Sequence, residues 1–230
     1  MIKLEDVSAE LKTINKEAEL LSIKELIDKI DQEVKESLYI SKPTEKKQLA
    51  AIKKYLNNRQ LDSRPILKTW SPFKDGRIGF TNSYSMFILN KNKLPFNVSF
   101  NNEWSPEEID SFLKNNDIEK KDVIAGVYPT LKNCIPDEMD QKDTLKLNIK
   151  SFLAWYKVQD KKELKNKNVL YNLADDLEPY TVDALLLKEV IDILQLDGVV
   201  SVEYYGNIKP CIIRTEAGKN LALLLPVKKY

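Results

Sequence analysis

The chain has 230 residues, 43% of them hydrophobic, with 36 Lys and Arg against 35 Asp and Glu and no histidine. That size and composition fit one large globular domain or two ordinary ones, and no apolar run approaches the roughly 20 residues needed to cross a bilayer. The absence of histidine excludes Ser-His-Asp and Cys-His catalysis and His-based zinc sites together.

Residues 8–38 show a helical pattern. Leu11, Ile14, Ala18 and Leu21 continue to Ile27, Ile30, Val34 and Leu38 at spacings mostly of three or four. Ser41-Lys42-Pro43 ends this N-terminal arm, which either packs on its own body or forms a coiled-coil or partner-binding arm. A second helix starts at Thr44-Glu45-Lys46-Lys47, with Leu49, Ile52, Tyr55 and Leu56 on its apolar face. Strands are expected near 65–70, 77–81, 84–90 and 96–100, with Asp75–Gly79 as a hairpin turn. Ser105-Pro106-Glu107-Glu108 signals a helix over 106–115, with Ser105 as N-cap and Pro106 at its first position. The stretch 124–136 reads as a connector between lobes. Then follow a strand at 145–149, a helix from 151, a strand at 169–173 and a buried helix at 184–194. Strands at 199–205, 209–215 and 221–228 close the chain, separated by turns at 206–207 and 216–220.

The near-neutral total hides segregated charge. Residues 1–40 carry six Lys against ten acids, and residues 41–70 carry eight Lys or Arg against two acids. Residues 142–167 carry eight Lys against three acids, and residues 172–203 one Lys against eight. Blocks of this kind place basic and acidic faces on one particle. The strongest nucleic-acid candidates are Lys46, Lys47, Lys53 and Lys54 on the second helix, with Arg59 and Arg64 in the loop after it; an ordinary solvated helix is the competing reading. Asp175, Asp176 and Glu178 are the one cluster that suggests a divalent cation, and a solvated loop explains them equally well. Cys134 and Cys211 read as buried free thiols in a reducing compartment. There is no Walker A sequence and no Gly-x-Gly-x-x-Gly. The expectation is a cytoplasmic protein that is not an enzyme, with no cofactor, no metal and no membrane contact. The abundance of Lys, Asn and Ile points to an AT-rich genome, such as that of a low-GC bacterium or its phage.

Three segments carry a resemblance. Lys209-Pro210-Cys211-Ile212-Ile213 followed by Leu223-Leu224-Leu225-Pro226-Val227-Lys228 resembles the C-terminal strands of the bacterial DNA polymerase III beta sliding-clamp family. Gly79-Phe80-Thr81-Asn82-Ser83-Tyr84-Ser85-Met86 is similar to that family's Ala-Thr-Asp-Gly-His/Tyr-Arg-Leu segment, although Asn82-Ser83 replaces Asp-Gly and the Arg is missing. Gly126-Val127-Tyr128-Pro129 through Ile135-Pro136 is similar to its Gly-x-Phe/Tyr-Pro…Ile-Pro linker. The resemblance implies an α+β fold, with clamp-like lobes of helices packed on antiparallel sheets. The division would be a helical arm at 1–42, one lobe at 43–135 and a second at 136–230.

It further implies a non-catalytic replication or repair platform that contacts the backbone of double-stranded DNA without reading sequence. Replication or repair proteins would bind through short peptide motifs at Leu225, Pro226 and Val227, with Tyr204, Tyr205 and Ile213 as additional candidates. Clamp chains hold three similar domains and dimerise, whereas this chain has room for two beyond its arm. The resemblance is therefore compatible with a homo-oligomeric ring of three chains. The alternative is a clamp-fold adaptor that never encircles DNA.

Overall fold

The computed structural model describes residues 45–159, 164, 169–173, 180–215 and 218–227. The chain separates into two compact units, 1–47 and 48–230. The expected arm at 1–42 and the Asp175, Asp176 and Glu178 cluster lie outside the described residues.

A seven-stranded antiparallel sheet organises residues 48–230. Its strands are β1 (Ser71–Pro72), β2 (Ile78–Thr81), β3 (Ser85–Leu89), β6 (Asp143–Asn148), β9 (Val199–Tyr204), β10 (Cys211–Arg214) and β11 (Leu221–Leu224). Their spatial order is β1-β2-β3-β11-β10-β9-β6. The chain's two halves meet where β3 pairs with β11, in a register that sets Phe87 opposite Ala222 and Met86 opposite Leu223. The expected boundary at 135 thus falls inside one compact unit whose sheet draws strands from both sides of it.

Strand pleating explains the composition of the central strands. Successive side chains point to opposite faces, so Phe87, Leu89, Cys211, Ile213, Ala222 and Leu224 join one apolar cluster. Met86, Ile88, Ile212, Leu221 and Leu223 join another. Both faces are covered, which accounts for unbroken apolar runs such as Met86-Phe87-Ile88-Leu89 in place of alternation. Helices cover the first face: α1 (residues 45–56), α3 (Ile149–Lys157) and α4 (Ala184–Leu194). They contribute Ile52, Tyr55 and Leu56, then Phe152, then Leu187, Val190 and Ile191. The second face is sealed by Phe73, Tyr128, Leu131 and Tyr205, with Ile66 and Ile135 packed against them. Each fully buried Phe, Leu or Ile on these faces stabilises the fold by about 1.5–3 kcal/mol.

Local signals set the helix ends. Helix α2 (Pro106–Asn115) begins with a complete capping box: Glu108 N–H donates to Ser105 Oγ, and Ser105 N–H donates to Glu108 Oε2. Helix α4 is capped by Asp183, whose carboxylate accepts from Leu185 and Leu186 N–H. It ends at Gln195 in the left-handed conformation.

Four expectations need correction. Residues 65–68 form a 3-10 turn, not a strand; Pro65 has no N–H to give a sheet and its ring presets a helical φ. Within the expected connector, Val123–Val127 is a strand, β5, paired in parallel with β4 (Val98–Phe100). Cys134 is exposed, while Cys211 is buried as expected. The last strand stops at Leu224, because Pro226 cannot donate to a ladder. Two further strands, β7 (Leu170–Asn172) and β8 (Thr181–Asp183), pair with each other.

Candidate functional site

Helix α1 turns Ile52, Tyr55 and Leu56 into the core and leaves Lys53 and Lys54 exposed between them. The 3.6-residue period produces that division. The helix is fixed at two points. Gln48 Nε2 donates to the Ile193 carbonyl at 2.8 Å, satisfying an acceptor at the C-terminal end of α4. Tyr55 Oη donates to the Ser85 carbonyl at 2.9 Å, and its ring packs edge-on against Phe80 and Phe87, with centroids 5.5 and 5.1 Å away. Burial pushes the Tyr55 phenol well above its usual range, so it stays a neutral donor. The two lysines therefore stand on an anchored helix.

The other basic candidates diverge. Lys46 and Lys47 are exposed and belong to the unit 1–47. Arg59 is exposed in the 3-10 turn Arg59–Leu61 that follows α1. Arg64 is exposed and donates from Nη1 to Ser83 Oγ at 3.2 Å, which draws it toward the β2–β3 turn. Glu189 of α4, which feels the charge of Lys54, is largely buried, and its Oε2 has no hydrogen-bond partner among the described residues. Its carboxyl is pushed up to about 7, first by burial and then by Asp183 and Asp192, with Lys54 pulling the other way.

The tail candidates lie together at one end of the sheet. Beyond β11, Leu225 N–H donates to the Tyr84 carbonyl at 3.1 Å. Val227 N–H donates to the Thr181 carbonyl at 2.9 Å, and Thr181 Oγ1 donates back to the Val227 carbonyl at 2.7 Å. The tail is thereby strung between the β2–β3 turn and β8. Leu225 is 37% exposed and Tyr84 61%, while Pro226 and Val227 are half-buried.

Tyr84 is held outward by its turn. Asn82 Oδ1 accepts from Tyr84 and Ser85 N–H at 2.9 and 2.8 Å, and Ser83 takes a positive φ of 76°. Arg64, through Ser83, belongs to this same cluster. Tyr204, Tyr205 and Ile213 do not: all three are buried and line the core, so no partner reaches them. Tyr84 is an exposed aromatic that sequence reasoning did not single out; its signal was its place inside a polar Asn-Ser turn, where burial is not expected.

Among the described residues, no three His, Cys, Asp or Glu side chains converge as a metal site, and no helix is long and apolar enough to cross a membrane.

No family model matches the sequence, and no curated protein matches it. Solved structures do. A DNA polymerase sliding clamp from Bacillus subtilis aligns with a TM-score of 0.52 at 17% identity, over 81% of this chain and 63% of that one. A sliding clamp, DNA polymerase III subunit beta, from Bartonella birtlesii bound to griselimycin aligns at 0.53 and 12% identity, over 80% of this chain and 64% of that one. A putative DNA polymerase III beta subunit from Eubacterium rectale aligns at 0.50 and 11% identity, over 80% and 64%. The chain spans less than two thirds of the length of these clamps. At such identities the likeness is one of fold: an α+β, clamp-like architecture.

Proposed function

We propose that this chain is a non-catalytic, clamp-derived platform that rests on the DNA backbone and holds replication or repair proteins by short apolar peptides. The observation that carries this reading is the clamp-like architecture, which extends over about four fifths of the chain. An exposed pair of lysines on a doubly anchored helix supports the DNA contact: Lys53 and Lys54, continued by Arg59, can meet phosphates without base readout. Lys46 and Lys47, in the unit 1–47, are separate candidates for phosphate contact. Leu225, Pro226 and Val227, with Tyr84 beside them, form the partner-binding end. A ring would require several copies of the chain.

The test is retention on closed circular against linear double-stranded DNA, alongside the molar mass by light scattering over a dilution series. An oligomer that is lost more slowly from circles than from linear DNA supports encirclement. Lys53→Glu with Arg59→Glu should weaken binding and lower the slope of log affinity against log salt by about 0.9 for each phosphate contact removed. Unchanged retention and an unchanged slope in that variant would refute the DNA role.

A second reading, an adaptor that does not encircle DNA, is favoured by the Arg64, Tyr84 and Leu225 cluster, because exposed aromatic and Arg side chains beside an apolar residue suit a protein partner. A persistent monomer without DNA retention, yet able to bind an apolar peptide at this cluster, selects it.

A further inference from the structure

An open groove of about 420 Å³ runs along α2, far in sequence from both candidate surfaces and lined by Trp104, Glu107, Glu108, Ser111, Phe112 and Asn115. Its floor is a rigid aromatic cluster. Trp104 packs edge-on against Phe112 and Phe100 at 5.3 and 5.5 Å between centroids, and Phe100 meets Phe112 at 5.8 Å. Trp104 Nε1 donates to the Pro72 carbonyl at 3.3 Å, tying the ring to β1. Ring faces carry negative electrostatic potential, and here two carboxylates stand at their edge. That pairing favours a planar cation carried on an apolar stem.

This chemistry is already present beside the groove. Lys74 Nζ lies 5.9 Å from the Trp104 ring centroid and donates to both carboxylate oxygens of Glu108, at 2.7 and 3.0 Å. Glu107 is different. Its Oε2 accepts from Ser105 Oγ at 2.8 Å, and no Lys or Arg pairs with it among the described residues. The Ser105 hydroxyl and a backbone N–H hold its carboxyl below the usual range, so it stays ionised at neutral pH. Asp110, one turn further along α2, is paired with Lys120 at 3.0 Å. One aromatic floor thus adjoins two carboxylates, one neutralised from within and one open to a partner.

We propose that the α2 groove is a docking site for an arginine side chain of a protein partner, its guanidinium on the Trp104 and Phe112 rings and paired with Glu107. Arginine suits this better than lysine, because a planar guanidinium stacks on rings and forks onto a carboxylate at once. The site goes beyond the clamp-like reading and does not depend on it.

The test uses the full chain, nitrogen-15 labelled, and the acetylated, amidated hexapeptide Leu-Arg-Leu-Leu-Arg-Leu. The readout is the Trp104 indole N–H resonance, assigned with Trp104→Phe. Binding should shift that resonance, and the control peptide Leu-Glu-Leu-Leu-Glu-Leu should not. Glu107→Gln, which leaves the Ser105–Glu108 capping box intact, should weaken binding about threefold. Lys74→Met, which vacates Glu108 and the Trp104 face, should tighten it by about as much. Movement of either variant in its stated direction supports the site. Absence of a Trp104 shift, an equal shift with the glutamate peptide, or unchanged affinity in both variants would overturn it.

Discussion

Replacing Glu189 by Gln should stabilise the protein in alkaline solution and leave it nearly unchanged in mild acid. Glu189 lies largely buried on α4, with one carboxylate oxygen unbonded among the described residues. Its carboxyl titrates at about 7, against 4.5 for the ordinary side chain. Burial is the first cause, and the charges of Asp183 and Asp192 add to it. Between those two pH values the folded state keeps a proton that the unfolded chain has released. Stability therefore falls as pH rises from 4.5 through about 7, and is level on either side of that window. At about 1.4 kcal/mol per pH unit, the full loss is on the order of 3 kcal/mol. An uncharged Gln has no such loss, so urea midpoints of wild type and variant should agree near pH 4.5 and separate by pH 8. Lys54→Met should act oppositely, because it removes the cation that opposes the upward push. A wild-type-to-variant difference that stays constant from pH 5 to pH 9 would show that Glu189 does not titrate in this range and would refute the reasoning.

Two further outcomes rest on packing. A Cβ at position 79 would lie 2.6 Å from Leu131 Cδ1 and 2.8 Å from Phe73 Cε2, so Gly79→Ala should destabilise by about 1–3 kcal/mol, read from urea unfolding; an unchanged midpoint would mean the 131–135 segment does not clamp the sheet. Cys134 is exposed and Cys211 fully buried, its thiol pushed up to about 12 by burial. A thiol reagent at pH 8 should therefore modify one cysteine promptly and the second only with unfolding; two equally fast equivalents would contradict the placement of β10.

What could be read from the sequence was whatever has a local cause. Ser105, Pro106 and Glu108 announce α2 because capping acts over four residues. The apolar runs at 184–194 and 211–214 announce burial because no polar residue interrupts them for long. Features with tertiary causes stayed hidden. β5 looks like a connector because it holds Gly126 and borders Pro129, and only its pairing with β4, about 25 residues earlier, makes it a strand. Nothing local singles out Glu189 until α4 is packed among its neighbours. The candidate surfaces split in the same way. The exposure of Lys53 and Lys54 follows from helical period, whereas the approach of Arg64 to Ser83, and so to Tyr84, depends on two turns meeting in space.

The β3–β11 seam has a consequence for how the chain is made. Four residue pairs join strands separated by more than 130 positions, so a ribosome must add more than 130 residues after β3 before that strand finds its second neighbour. Until Leu221 to Leu224 emerge, the growing chain holds Ser85 to Leu89 beside β2 alone, with an apolar ladder open along one side. That interval is when nascent molecules can join edge to edge, and it closes only with the last strand of the sheet.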